Sequence, residues 1–266
     1  NQSAVAAVGR INLMERQGAG IIDIGGQSTR PNAEVIKSGE ESARVLPVIQ
    51  AARQMGVTTP ISIDTFRADV ARDAVLAGAN IINDVSGGLL DSLMLRVASD
   101  LQVPICLMHY RGDPATMQGL ANYGGDVVEM VAAELRERCA AALKAGVYRW
   151  NIIVDPGIGF AKTPQQSYQL TKETGKFAAL CCPVLGGEGT SRVQGMPAGG
   201  FAVLVGPSRK SFIGHILKDE GSSTERRLWG TAAAATAAVQ QGAHIVRVHD
   251  VAEMRDVIAV ADAIYR

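Results

Sequence analysis

Short runs of β-branched and other apolar residues recur along the chain, each followed by a longer stretch with helical spacing. The runs are Ile21-Ile22-Asp23-Ile24, Pro60-Ile61-Ser62-Ile63-Asp64, Ile81-Ile82-Asn83-Asp84-Val85 and Pro104-Ile105-Cys106-Leu107-Met108, then Asn151-Ile152-Ile153-Val154-Asp155, Phe201-Ala202-Val203-Leu204-Val205 and His244-Ile245-Val246-Arg247-Val248. They are largely continuous rather than alternating, so both faces of each strand are buried, the pattern of a parallel sheet covered by helices. Seven strands alternating with helices predict an α/β protein.

Helical spacing covers 66–76, 127–143 and 253–264, and Gly78, Gly146 and Gly242 stand as stop signals before the next strand. The first element is also a helix, over 3–17, leading through Gly18 into the first strand. A barrel of eight βα units without its opening strand reads as helix first, then seven strands. An open doubly wound sheet would need a reversal of strand order and usually a Gly-rich phosphate fingerprint after the first strand, and no G-x-G-x-x-G stands there. The expectation is one domain over 1–266, a (β/α)8 TIM barrel lacking its first strand and first loop. The stretch 171–200, with Cys181-Cys182-Pro183 and many glycines, is expected as a surface insertion before the sixth run. The alanine run 232–238 is expected as a close-packed helix.

At 266 residues and 47% apolar, the chain can bury a core without disulfides or metals. Lys plus Arg number 26 and Asp plus Glu 26, and no basic run could track a phosphate backbone, which argues against nucleic acid. No stretch reaches membrane-spanning length, and no signal-peptide layout opens the chain. Cys106, Cys139, Cys181 and Cys182 show no zinc-ligand or C-x-x-C spacing, so an intracellular, soluble protein in a reducing compartment is expected. The opening Asn1-Gln2-Ser3, without an initiator Met, reads as a piece of something longer.

In a barrel, chemistry sits at the C-terminal ends of the strands. The first run leads into Gly25-Gly26-Gln27-Ser28-Thr29-Arg30-Pro31, whose hydroxyls and guanidinium suit a phosphate; an ordinary loop with Arg30 on a surface carboxylate is the alternative. Asp64 ends the second run, either in a site or as the cap of the next helix. Asn83-Asp84, Met108-His109 and Asp155-Pro156-Gly157 end the next three. Converging carboxylates and amides could grip a flat heterocycle, since a carboxylate accepts two parallel N–H bonds from one ring edge. The sixth run ends in Val205-Gly206-Pro207-Ser208-Arg209-Lys210-Ser211, with two cations that stand either in the mouth or as solvated charge. Arg247 and His249 alternate with Val246 and Val248 and share one side, and an Arg inside an apolar strand calls for an anionic partner. Asp250 with Glu253 reads as a capping pair, His215 and His244 as incidental and Cys106 as core.

Taken together, Asp23-Ile24-Gly25-Gly26-Gln27-Ser28-Thr29-Arg30-Pro31, Ile61-Ser62-Ile63-Asp64-Thr65, Ile81-Ile82-Asn83-Asp84-Val85-Ser86-Gly87-Gly88, Leu107-Met108-His109, Asp155-Pro156-Gly157-Ile158-Gly159-Phe160, Ser208-Arg209-Lys210-Ser211 and Arg247-Val248-His249-Asp250 resemble the dihydropteroate synthase family. The likeness runs in order from about residue 20 to the C-terminus. It implies condensation of 7,8-dihydropterin-6-ylmethyl diphosphate with 4-aminobenzoate, with release of pyrophosphate and the help of Mg2+. It further implies that Asp64, Asn83 and Asp155 hold the pterin edge, that Lys210 reaches the ring, and that Met108 and Phe160 lie near the pocket. Thr29, Arg247 and His249 would bind the diphosphate, with Gly206 beside them, while Ser28, Arg30 and Ser211 would line the mouth for 4-aminobenzoate. Lys210, Arg247 and His249 are thereby the expected catalytic groups. A homodimer, fusion to other folate-synthesis domains and competition by sulfonamides are further expectations from the resemblance.

The family also opens with a strand and loop of Asn-Val-Thr-Pro-Asp-Ser-Phe type, whose Asn is a metal ligand. Nothing in this sequence matches it and Asn1 is not its equivalent, so no metal ligand is assigned and a trimmed barrel that binds poorly, folds poorly or is inactive is expected. The competing readings are a pterin-binding methyltransferase, which shares the Asp and Asn grip but needs no diphosphate site, and a non-catalytic pterin-binding domain.

Overall fold

The structure, a computed structural model, describes residues 2–28, 34–112, 116–183, 200–218 and 226–266. Seven strands alternate with helices: β1 (Ile22–Gly25), β2 (Ile61–Asp64), β3 (Ile81–Asp84), β4 (Ile105–Met108), β5 (Ile152–Asp155), β6 (Ala202–Val205) and β7 (Ile245–Val246). All are parallel, and each pairs with its predecessor in the order β1-β2-β3-β4-β5-β6-β7. Helix α1 (Gln2–Arg16) precedes β1, followed by α2 (Ser38–Gln54), α3 (Ala68–Leu76), α4 (Met94–Leu101) and α5 (Val127–Lys144). The C-terminal half carries α6 (Pro164–Lys172), α7 (Lys176–Leu180), α8 (Ser211–Ile216), α9 (Arg226–Gln240) and α10 (Val251–Tyr265).

Continuous apolar runs arise because each strand packs on both sides. Ile61, Ile63, Ile82, Ile105, Leu107, Ile152, Val154, Val203 and Val205 pack in the main core together with helix residues such as Ile49, Leu135 and Phe177. Between them in sequence, Cys106, Ile153 and Leu204 form a second cluster with Ile81, Ala202 and Ile245. The sheet curls enough for Arg247, just past β7, to reach Asp23 on β1 and Asp64 on β2. Between the edges of β1 and β7 lies a cavity of about 760 Å3, lined by inner strand residues such as Ser62, Cys106 and Leu204 and by Met14 of α1 and Ile258 of α10.

The predicted helix stops hold, with Gly78, Gly146 and Gly242 all at positive φ. Two expectations change. The region 171–200 is not one irregular insertion, because it contains the end of α6 and all of α7, and Phe177 of α7 is fully buried in the main core; residues 184–199 lie outside the described residues. Asp250 does stand at the N-terminus of α10, but its side chain makes no cap bond and instead pairs with Arg209. Truncating Phe177 to Ala should remove about 3–5 kcal/mol of stability, read from the midpoint of denaturant unfolding. A surface insertion would tolerate the change without a measurable loss.

Candidate functional site

The C-terminal ends of the first three strands deliver one polar cluster. In the register of the sheet, Gly25 is opposite Asp64 and Asp64 opposite Asn83. Asn83 Nδ2 donates to Asp23 Oδ2 at 3.2 Å. The same oxygen accepts from Arg247 Nε at 2.7 Å, while Arg247 Nη2 donates to Asp64 Oδ2 at 3.1 Å. Asp23 Oδ1 and Asp64 Oδ1 are buried without a protein partner, so each carboxylate keeps one acceptor oxygen uncommitted. Burial, and then the neighbouring Asp23 charge, push the Asp64 carboxyl up to about 7 against the pull of Arg247. Burial disfavours charge on Arg247 too, but Asp23 and Asp64 overcome it and hold the guanidinium protonated.

Asp64 does not cap α3, whose N-cap is Arg67; it faces the site. Arg247 has its anionic partners within the protein, the two carboxylates of β1 and β2. Asp23, inside an apolar run of the sequence, is the hub that Asn83 and Arg247 share.

A second cluster gathers at the turn after β5. Asp155 is buried, and its Oδ1 accepts from Gly157 N at 2.7 Å. Gly157 has φ of 65°, and a Cβ there would run into the His109 carbonyl oxygen, so only glycine fits. Lys210, at the N-terminus of α8, donates its ammonium to the Ile158 carbonyl and sits 4.7 Å from the centre of the Phe160 ring. Burial pulls Lys210 down to about 8, with Asp155 opposing that shift. Burial pushes the Asp155 carboxyl up, and Lys210 opposes that in turn. The hydrophobic side of this turn is Met108, packed with Val85 and Tyr110 and flanked by Phe66 and Phe160.

Gly206, at the end of β6, is buried between the two clusters; a Cβ there would lie 3.7 Å from Arg247 Cβ and 4.0 Å from Lys210 Nζ. His249 is held by Ser208, whose hydroxyl lies 2.9 Å from His249 Nδ1 and accepts from the His249 amide at 3.2 Å. Asp23, Asn83, Arg247 and His249 line the cavity between β1 and β7. Ser211 is exposed at the first turn of α8, and Ser28 is exposed with its carbonyl bonded by Gln27. Thr29 and Arg30 lie outside the described residues.

Two expected members of the mouth point elsewhere, because successive residues of a strand face opposite sides. Asp84 is fully buried beside Asn83 and spends both oxygens on its own loop, accepting from Ser86 N and Oγ and from Gly88 N. His109 is buried against Glu134 and Lys162, at 3.0 Å from each. Lys162, unassigned from the sequence, is revealed by its contact with His109, and Ser208 finds its partner in His249, some 40 positions away.

Residues 1–249 match the family described as pterin binding enzyme. The chain is 48% identical over 263 residues to a folic acid synthesis protein of Schizosaccharomyces pombe, covering 97% of this chain and 34% of that protein. It is 44% identical over 264 residues to a dihydropteroate synthase of Synechocystis, covering 99% of this chain and 83% of that one. It thus spans about a third of the fungal folate-synthesis protein. A structure of dihydropteroate synthase from Clostridium difficile in the presence of pteroic acid superposes with a TM-score of 0.85 at 34% identity, covering 99% of this chain and 89% of that one. The Xanthomonas albilineans dihydropteroate synthase with 4-aminobenzoic acid gives a TM-score of 0.84 at 37% identity, covering 98% and 85%.

Proposed function

Because this chain belongs to the family of pterin-binding enzymes, we propose that it is the dihydropteroate synthase part of a folate-synthesis protein. It would join 7,8-dihydropterin-6-ylmethyl diphosphate to 4-aminobenzoate and release pyrophosphate. The observation that carries the reading is that neighbouring strand ends set acceptors, Asp64, Asn83 and Asp155, beside cations, Lys210 and Arg247, from the last two units. The acceptor side suits the N–H-rich edge of a pterin, and Asp155 can take two parallel N–H bonds. The cation side suits a diphosphate. A methyl-transferring pterin enzyme would need only the first.

In this reading the C–O bond between the pterin methylene and the diphosphate breaks, and the electron pair leaves on oxygen. Arg247 and His249, with Thr29 from the loop after β1, stabilise that charge as it develops. The methylene becomes cation-like and is attacked by the aryl amine, which then gives up a proton. Lys210 lies over Phe160 and Met108 packs beside it, so ring and methylene would be held in line for attack. Ser28, Arg30 and Ser211 are proposed to meet the 4-aminobenzoate. Mg2+ is proposed on the family likeness, where it would neutralise and orient the diphosphate. Among the described residues no group of three or more His, Cys, Asp or Glu gathers to hold it, so every step above rests on side chains of the chain.

The finer architecture is part of the same proposal: a (β/α)8 barrel in which the cavity between β1 and β7 is the place of an eighth strand. A homodimer is proposed as well, supported by Trp229 on α9 and Ile216 on α8, which stand exposed on packed neighbouring helices. Among the described residues no helix is long and apolar enough to cross a membrane.

The test is pyrophosphate release with the pterin diphosphate, Mg2+ and 4-aminobenzoate, alongside the Lys210→Ala variant. Release that needs 4-aminobenzoate and collapses in the variant is expected; pterin binding without release would leave a binding domain. A pH dependence follows from Lys210. It is charged below about 8 and neutral above, and an electron-rich ring or diphosphate favours the charged form. KM for the pterin diphosphate should therefore rise as pH climbs through 8, in initial-rate measurements from pH 6.5 to 9.5.

A further inference from the structure

The turn after β5 places three residues in the left-handed region, Gly157, Gly159 and Ala161, with φ of 65°, 82° and 49°. Ala161 carries a Cβ, so its left-handed conformation is strained and must be held from outside. Two side chains do so from behind. Tyr123 donates its hydroxyl to the Ala161 carbonyl at 3.0 Å, and Lys162 donates its ammonium to the Phe160 carbonyl at 2.9 Å.

Lys162 is 4% exposed, and its Nζ also lies 3.0 Å from His109 Nδ1. Burial pulls Lys162 down to about 7, with Asp155 opposing that shift; in its ammonium form it can only donate, so Nδ1 is then the acceptor and the ring proton sits on Nε2, which donates to Glu134 at 3.0 Å. Glu134 is gripped in turn by Arg111. Burial and the Lys162 charge keep His109 neutral, pushed down to about 4. A chain of donors thus runs from Lys162 through His109 to Glu134 on α5.

The front of the same turn carries the groups assigned to the pterin. Asp155 accepts from Gly157 N, Ile158 offers its carbonyl to Lys210, and Phe160 lies under the Lys210 ammonium. We infer that Lys162 is a positioning residue of the pterin pocket, fixing the turn from Asp155 to Ala161 through the Phe160 carbonyl and the His109–Glu134 pair without touching the substrate. This rests on the pterin reading above. Lys162 would act on pterin affinity and leave the 4-aminobenzoate side unaltered.

The test uses the complete protein and its Lys162→Met and Tyr123→Phe variants. Binding of 6-hydroxymethylpterin is followed by fluorescence, KM for 4-aminobenzoate is measured at saturating pterin diphosphate, and thermal unfolding reports the fold. A displaced turn should raise the pterin Kd of Lys162→Met about 10- to 100-fold, with KM for 4-aminobenzoate within about threefold. Tyr123→Phe, which releases only the neighbouring carbonyl, should shift the pterin Kd the same way by less. A folded Lys162→Met protein with the pterin Kd of the parent overturns the inference, as does an equal rise in both substrate constants. If Lys162→Met does not fold, an unchanged Kd in Tyr123→Phe overturns it and a raised one supports it. A parent protein that binds no pterin refutes the functional reading itself; a parent that binds beside an unaffected variant refutes only the role of Lys162.

Discussion

Replacing Arg247 by Met is expected to lower kcat/KM for the pterin diphosphate by at least about 10³-fold, the scale on which a single charge-stabilising donor or arginine matters to a leaving group. Two losses combine. The first is the cation facing the diphosphate. The second is internal: Arg247 is the shared counter-charge of Asp23 and Asp64, and Asp64 is already pushed up to about 7 in its presence. Without the guanidinium the Asp64 carboxyl takes up a proton at neutral pH, and one acceptor of the pterin edge becomes a donor. Lys in place of Arg should give an intermediate loss, because an ammonium cannot present Nε to one carboxylate and Nη2 to the other. Pyrophosphate release measures both, and a Met variant within tenfold of the parent would refute this account of the site.

The second large effect is expected for Asp155→Asn. The amide keeps one acceptor and replaces the other with N–H donors, so the paired N–H bonds to a pterin edge cannot form. Hydrogen bonds to a charged acceptor are worth about 1.5–3 kcal/mol each, so the Kd for 6-hydroxymethylpterin should rise by about 100-fold or more. A second signature separates this from a general disturbance. Asp155 is what opposes the downward shift of Lys210, so without its charge Lys210 loses its proton at lower pH. The alkaline rise in KM should move below its position in the parent. Weaker binding with an unmoved pH profile would mean that Asp155 and Lys210 do not act on one another.

Much of this was readable in the chain. The strand runs were legible because burial on both faces forces continuous Val and Ile, and all seven strands lie within the predicted runs or one residue beyond. Asp64, Asn83 and Asp155 were legible because a polar residue at the end of an apolar run has few places to go. What was hidden depends on facing and on distance. Adjacent Asn83 and Asp84 look alike in sequence, yet pleating sends one toward the cavity and the other into its own loop. Arg247 and Asp23 are 224 positions apart, and no local spacing pairs them. Asp250 looked like a cap because it stands where caps stand, but the Arg209 guanidinium outcompetes backbone N–H groups for its oxygens.

The consecutive order of the strands also bears on how the chain assembles. Each strand can add to the one made before it, so Asp23, Asp64 and Asn83 are brought together by the first three units. The guanidinium that pairs with the two carboxylates belongs to the last. A nascent chain that has emerged only through β6 carries two neighbouring carboxyl groups with no counter-charge, and they must share a proton or keep water between them. Docking of β7 removes that repulsion, so addition of the seventh strand and closure of the Asp23–Arg247–Asp64 cluster are a single event, and a chain stopped short of residue 247 would lack both.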